Sequence, residues 1–157
     1  MLSNNEIGIF HEYLVRPIII SAITTIILLT IIRERKYYME RNENSERERT
    51  IAQAIVDAWN NLDAEVMEQY LADDLKYSSF WVFQTMQTKE EYLDYLRGKF
   101  ERLRTIGETI NAKIETINGK KVPIIKQSSS DVVVGLSITI KDDKISEMYM
   151  MPPDLCN

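Results

Sequence analysis

The chain is poor in the residues that staple or metallate a small protein: it has one cysteine and one histidine among 157 residues. Cys156 has no partner for a disulfide, and a single thiol with His11 cannot assemble a zinc site from soft ligands. Positive charge is also in deficit. Nineteen Lys and Arg stand against 24 Asp and Glu, a formal net charge of -5, so there is no global basic field to hold nucleic acid, and nucleic acid is excluded as a partner. No internal repeat, no metal-ligand spacing and no cofactor-binding motif is present. The length admits one small domain with an appendage and excludes a multidomain enzyme.

What is present divides into three unequal parts: 1–32, 33–49 and 50–157. Pro17 to Ile32 reads PIIISAITTIILLTII, sixteen residues without a charge, which at about 1.5 Å per residue span about 24 Å. Adding Tyr13, Leu14, Val15 and Arg16 makes twenty residues and about 30 Å, the thickness of a bilayer's hydrocarbon core. The segment is therefore read as a membrane-anchor helix; the alternative is a buried core helix or a strand pair, since the run is rich in β-branched residues. Arg33, Arg35, Lys36 and Arg41 follow the run and only Arg16 precedes it, so the positive-inside rule predicts a single-pass protein with its C-terminal domain in the cytoplasm. A chain without an anchor is cytoplasmic on the same reading. Residues 33–49 carry eleven charges in seventeen positions and are read as a solvated linker, helical where Lys36 and Glu40 or Glu43 and Arg47 pair at i,i+4.

The remaining 108 residues hold 12 basic and 17 acidic side chains and form the functional unit. Ser45 and Glu48 make a capping box ahead of Ile51, Ile55, Trp59 and Leu62 at helical spacing. Asp63 opens a short helix with Val66, Met67, Tyr70 and Leu71. A strand from about Leu75 to Phe83 sets Leu75, Tyr77, Ser79, Trp81 and Phe83 on one face. Thr88 and Glu91 open a helix with a stripe of Leu93, Leu96, Phe100 and Leu103, ended by Gly107. The period then falls to two: Ile110 to Glu115, a turn at Asn118-Gly119, Val122 to Lys126 with Pro123 favouring an edge or a bulge, Val132 to Ile140, a turn at Asp142-Asp143, and Ile145 to Met151. Helices followed by antiparallel strands predict an α+β fold in which a curved sheet wraps around helices and leaves a cone-shaped hollow, a cystatin-like cone behind an N-terminal hydrophobic helix.

That order, with AWNNLDAEVMEQYLADDLKY at Ala58 to Tyr77 and TKEEYLDYLRGKF at Thr88 to Phe100, resembles the nuclear transport factor 2-like superfamily in its SnoaL-like bacterial branch, over roughly Thr50 to Met151. Trp81 to Arg104 is similar to small bacterial members of that superfamily for which the resemblance supplies no activity. The superfamily holds isomerases, dehydratases, epoxide hydrolases and polyketide cyclases beside noncatalytic modules, so residues must choose. The general-base Asp of its ketosteroid isomerase-like members falls here on Ser79, the phenol donor near Gln53 and the protonated acid near Leu136. The histidines of scytalone dehydratase-like chemistry have no counterpart, since His11 lies outside the domain.

The resemblance and the residues together predict a small-ligand-binding or dimerisation module without a recognisable catalytic set. The alternative is an isomerase, hydrolase or cyclase acting on a small apolar substrate in the cone. Tyr77, Ser79, Trp81, Phe83 and Tyr92 are the expected ligand contacts, able to hold a flat apolar molecule. The sheet's outer face, with Val133 and Ser137 to Thr139, is the expected surface for a homodimer. Of Asp73 and Asp74 one is read as capping or ending the short helix and the other as solvated, Lys126, Glu115 and Glu147 as exposed strand charges, Cys156 as an idle thiol, and Met148, Met150 and Met151 as strand packing or an interface.

Overall fold

The computed structural model describes residues 16–156, with side chains placed for 18–81 and 85–156. The span extension over Tyr13, Leu14 and Val15, His11, and the side chain of Phe83 lie outside the described residues.

Helix α1 covers Arg16–Asn61. Between Ile18 and Asn61 the sequence has neither glycine nor proline, so nothing interrupts the backbone ladder. Its threonines bond back onto the preceding turn. The hydroxyls of Thr24, Thr25 and Thr30 donate to the carbonyls of Ile20, Ser21 and Ile26 at 2.7, 2.9 and 2.9 Å. The helix start expected at Ser45 is absent, because a capping serine begins a helix only where the preceding chain is not helical. Here RERKYYMERNEN is already wound, with Lys36 and Glu40 paired at 3.7 Å.

The expectation of a single-pass membrane protein with a cytoplasmic C-terminal domain is corrected by this helix: among the described residues, no helix is long and apolar enough to cross a membrane. From Ile18 only fifteen uncharged residues precede Arg33, Glu34 and Arg35 in the same helix. They cover about 22 Å, where a span needs about twenty predominantly apolar residues.

Two compact units are present, Met1–Asn44 and Ser45–Asn157. In the second, α1 contributes Ile51, Ile55, Ala58 and Trp59, all buried, and ends without a glycine. Leu62 takes φ +56°, and the N–H of Asp63 donates to Ala58 at 2.8 Å, a Schellman-like cap made by a residue that packs on the core. Helix α2 (Glu65–Glu68) is a single turn that buries Met67. Helix α3 (Lys89–Thr105) starts where the Thr88 hydroxyl accepts the Glu91 N–H at 3.2 Å and stops at Gly107, φ +69°.

Six strands form one sheet, β1 (Leu71–Ser79), β2 (Val82–Met86), β3 (Ile110–Ile117), β4 (Lys120–Gln127), β5 (Val133–Lys141) and β6 (Lys144–Met151), in the order β2-β1-β6-β5-β4-β3. The architecture is α+β, a curved, unclosed sheet with helices on its inner face. Neighbouring strands are antiparallel except β1 and β6, which run parallel. The long strand expected from Leu75 to Phe83 is instead a hairpin. Chain reversal at Phe80-Trp81 pairs Ser79 with Val82 and Tyr77 with Met86, and the Ser79 hydroxyl accepts the Trp81 N–H at 3.3 Å. The turns at Asn118-Gly119 and Asp142-Asp143 place both residues at positive φ, +50° and +79°, then +49° and +66°, the type I′ geometry that suits the sheet's twist.

Strand alternation separates two cores. Leu75, Tyr77, Leu136, Ile145, Met148 and Met150 face the helices. On the opposite face Val122, Ile124, Met151 and Cys156 form a smaller cluster under the 3₁₀ turn Pro153–Leu155. Gly135 lies beneath this tail, where a Cβ would come within 2.5 Å of Cys156 Sγ and 3.4 Å of Pro153 Cα. Pro123 lies inside β4, paired with Ile114 of β3 and just beyond the stretch Ile124 to Lys126 that pairs with β5, so its missing N–H breaks no ladder on that side.

Candidate functional site

The alternation that buries Tyr77 and Met148 brings the next inward residues to the open end of the sheet. Ser79 lies opposite Met150, Met150 opposite Leu136, and Val134 opposite Ile125. Between these side chains and the helices is a cavity of about 200 Å³. The sheet contributes Ser79, Ile125, Val134 and Met150; α1 contributes Trp59, and α3 contributes Tyr95 and Lys99. Trp81 closes it from the β1–β2 turn, Gln127 from the end of β4, and Ser130 and Val132 from the β4–β5 connection. That connection is fastened from outside the cavity. The Glu108 carboxylate accepts the Ser128 hydroxyl at 2.6 Å and the Ser129 N–H at 2.9 Å, bonds that hold its pKa down at about 2.

Aromatic rings make the helical wall. Trp59, 1% exposed, meets Phe100 edge-on at 5.2 Å, and Tyr77 lies 4.7 Å from Tyr92 and 5.9 Å from Tyr95. The Tyr77 hydroxyl contacts Met150 Sδ at 3.8 Å. Burial, reinforced by Tyr95, pushes its ionisation well above the ordinary phenol range, and burial does the same to Tyr92. Among the described residues, Trp59 Nε1 and the Tyr92 hydroxyl are buried without a hydrogen-bond partner.

Among the described residues, one charged group lines the cavity. Lys99 Nζ lies 5.0 Å from the Trp59 ring centre and 6.0 Å from that of Tyr95, a cation over two aromatic faces. Burial lowers its pKa, and the nearby Arg102 adds to the shift. No carboxylate among the described residues lies within 4.0 Å of it. The cavity thus offers flat apolar walls, one ammonium and the hydrogen-bonding groups of Ser79, Gln127 and Ser130. Among the described residues, its lining contains neither a carboxylate nor an imidazole to exchange a proton with that ammonium.

The five expected ligand contacts are distributed unevenly. Ser79, 9% exposed, and Trp81, 44% exposed, line the cavity. Tyr77 and Tyr92, each 1% exposed, stand behind it in the core, and Phe83 lies on β2 with its side chain outside the described residues. Of the positions matched to isomerase machinery, Gln53 is exposed and bonds Asp57 at 2.8 Å, while Leu136 is buried core. Asp73 pairs with Lys89 at 2.7 Å, which holds its carboxyl below the usual range. Glu115 pairs with Lys113 at 2.8 Å, and Lys126 with Asp131 at 3.8 Å. Cys156 is buried on the far face of the sheet, and burial raises its pKa. Trp59, Tyr95 and Lys99 were not anticipated as site residues. The available signal was the spacing of Tyr92, Tyr95 and Lys99, three and four apart along one flank of α3 beside its apolar stripe.

No protein-family model and no curated protein matches the sequence. Solved structures do match in architecture. A SnoaL-like protein of unknown function from Burkholderia thailandensis E264 is 18% identical with TM-score 0.54, over 68% of this chain and 93% of that one. A putative ketosteroid isomerase from Kribbella flavida DSM 17836 is 14% identical with TM-score 0.53, over 70% of this chain and 80% of that one. The parallel β1–β6 contact, the three antiparallel strands that follow and the helices on the inner face are therefore the nuclear transport factor 2-like fold, the fold of the superfamily that the sequence resembles.

Proposed function

We propose that this protein is a small-ligand-binding module of the SnoaL-like type whose cone receives a flat, largely apolar molecule and performs no proton-transfer chemistry on it. The observation that carries this reading is the cavity itself, walled by Trp59, Trp81, Tyr95, Val134 and Met150 with only a few polar groups to orient a guest. Ser79 and Trp81 touch the ligand; Tyr77 and Tyr92 set the depth at which it stops. The competing reading, an isomerase, hydrolase or cyclase on a small apolar substrate in the same cone, is favoured by one observation, the lowered pKa of Lys99. On that reading Lys99 is, among the described residues, the one charged group in the lining able to move a proton.

The two tryptophans of the chain both line the cavity, so their indole N–H resonances are internal reporters. Titration with the neutral aromatic amide 2-naphthamide shifts both signals together, saturably, while signals from exposed residues of α3 stay in place. Unmoved indole signals at millimolar ligand remove the binding reading. A second copy docks on the outer sheet face beside Ser137 and Thr139, which the tail over Gly135 leaves uncovered; sedimentation of a monomer at all concentrations removes that part of the proposal.

A further inference from the structure

The proposed cone-binding function leaves one feature of the cavity unexplained, its charge. Lys99 reaches the cavity from α3 with no carboxylate of the described residues beside it, and its ammonium is held only over the faces of Trp59 and Tyr95. A half-buried cation with no counter-ion is costly, because aromatic faces replace only part of the water it gives up. Burial accordingly lowers its pKa, and Arg102, three residues further along the same helix, adds to the shift. Glu108, bound by Ser128 and Ser129, and Asp131, paired with Lys126, stand outside the cavity lining, and Glu101, two residues further along α3, forms no ion pair with Lys99. The other polar groups of the lining, Ser79, Gln127 and Ser130, are neutral, so among the described residues nothing in the lining competes with an anion for the ammonium.

We infer that the cone selects a carboxylic acid: a flat aromatic or alicyclic body against Trp59, Tyr95 and Val134, with its carboxylate paired to Lys99 Nζ. The pairing supplies the missing counter-ion, and it is strong because the apolar walls keep water from screening it. A neutral guest of the same shape gains the apolar contacts and leaves the ammonium bare. An inorganic anion gains the ammonium and leaves the apolar walls wet, so the ligand must carry both parts.

This inference rests on the cone-binding function, and the test separates the two. Affinities of 2-naphthoate and 2-naphthamide are measured on the full chain by the two indole resonances at pH 7. The native protein is expected to hold the acid at least about tenfold more tightly than the amide. Lys99→Arg keeps the preference for the acid. Lys99→Met, which retains the length of the side chain, abolishes that preference and leaves the amide within about twofold of its native affinity. Equal affinities of the native protein for acid and amide overturn the inference and leave the cone-binding function standing, as does a preference that survives in Lys99→Met. Failure of both ligands to move either indole removes the binding function as well.

Discussion

At the scale of single residues, geometry leaves no alternative at a few positions. Gly135 is one. A methyl group there meets Cys156 Sγ at 2.5 Å, so Gly135→Ala must lift the C-terminal turn off the sheet or strain β5. The expected cost is about 1 to 3 kcal/mol, measured by urea unfolding. Adding Cys156→Ala removes the opposing sulfur and recovers most of the loss, so the two substitutions are non-additive; simple additivity contradicts the contact. Glu108 is another. Its folded pKa is about 2 against an ordinary 4.5, so the bonds to Ser128 and Ser129 stabilise the fold fully above the ordinary value. They lose their contribution as pH falls from 4.5 through about 2. The stability difference between native protein and Glu108→Gln is therefore expected to be constant near neutrality and to shrink across that acid window; a difference independent of pH assigns Glu108 no such role. Residues of this kind are only half legible in a sequence. Thr88, Asn118, Gly119 and Gly107 declare themselves through local backbone requirements, whereas Glu108 and Lys99 matter because of partners that only folding brings near.

At the scale of elements, the helices and strands of the second unit follow from local pattern, and the differences lie where a local signal met a longer-range constraint. The capping box at Ser45 is real in composition and silent in structure, since α1 is already helical when it reaches that residue. The strand pattern from Leu75 onward keeps its alternation as far as Ser79 and then breaks at Phe80-Trp81, where no glycine or proline announces a turn. That reversal carries Trp81 from a strand face to the cavity wall. Another tie joins elements far apart in sequence. Asn60, in the last turn of α1, accepts the Ala112 N–H at 2.7 Å and donates to the Ala112 carbonyl at 3.0 Å, as a neighbouring strand would. The side-chain amide thus covers part of edge strand β3. Asn60→Ala is expected to destabilise the fold by about 1 to 3 kcal/mol and to accelerate hydrogen exchange at Ala112 selectively. Unchanged exchange there would mean the tie is not formed.

At the scale of the whole molecule, the α+β order and the wrapped sheet were legible because each strand carries its own period of two and each turn its own chemistry. The full lining of the hollow was not, because its walls come from α1, α3, β1, β4, β5 and β6 at once, and register decides which of two alternating sets faces inward. Ser79 and Trp81 were within reach of sequence reasoning since they lie near one another along the chain; Trp59, Tyr95 and Lys99 were not, since their shared surface exists only after α1 and α3 pack on the sheet. A filled cone is expected to rigidify the molecule, raising the unfolding temperature with ligand concentration as mass action requires; an unchanged temperature at saturating 2-naphthamide speaks against a folded-state site.

The most direct measurement is where a bound aromatic guest lies. Intermolecular nuclear Overhauser contacts from the ring protons of 2-naphthamide to the Met150 methyl, the Val134 methyls and the Trp59 indole are the predicted result. Contacts instead to the exposed isoleucines of α1, such as Ile18, Ile20 and Ile26, with none to Met150 or Val134, would contradict a ligand in the cone.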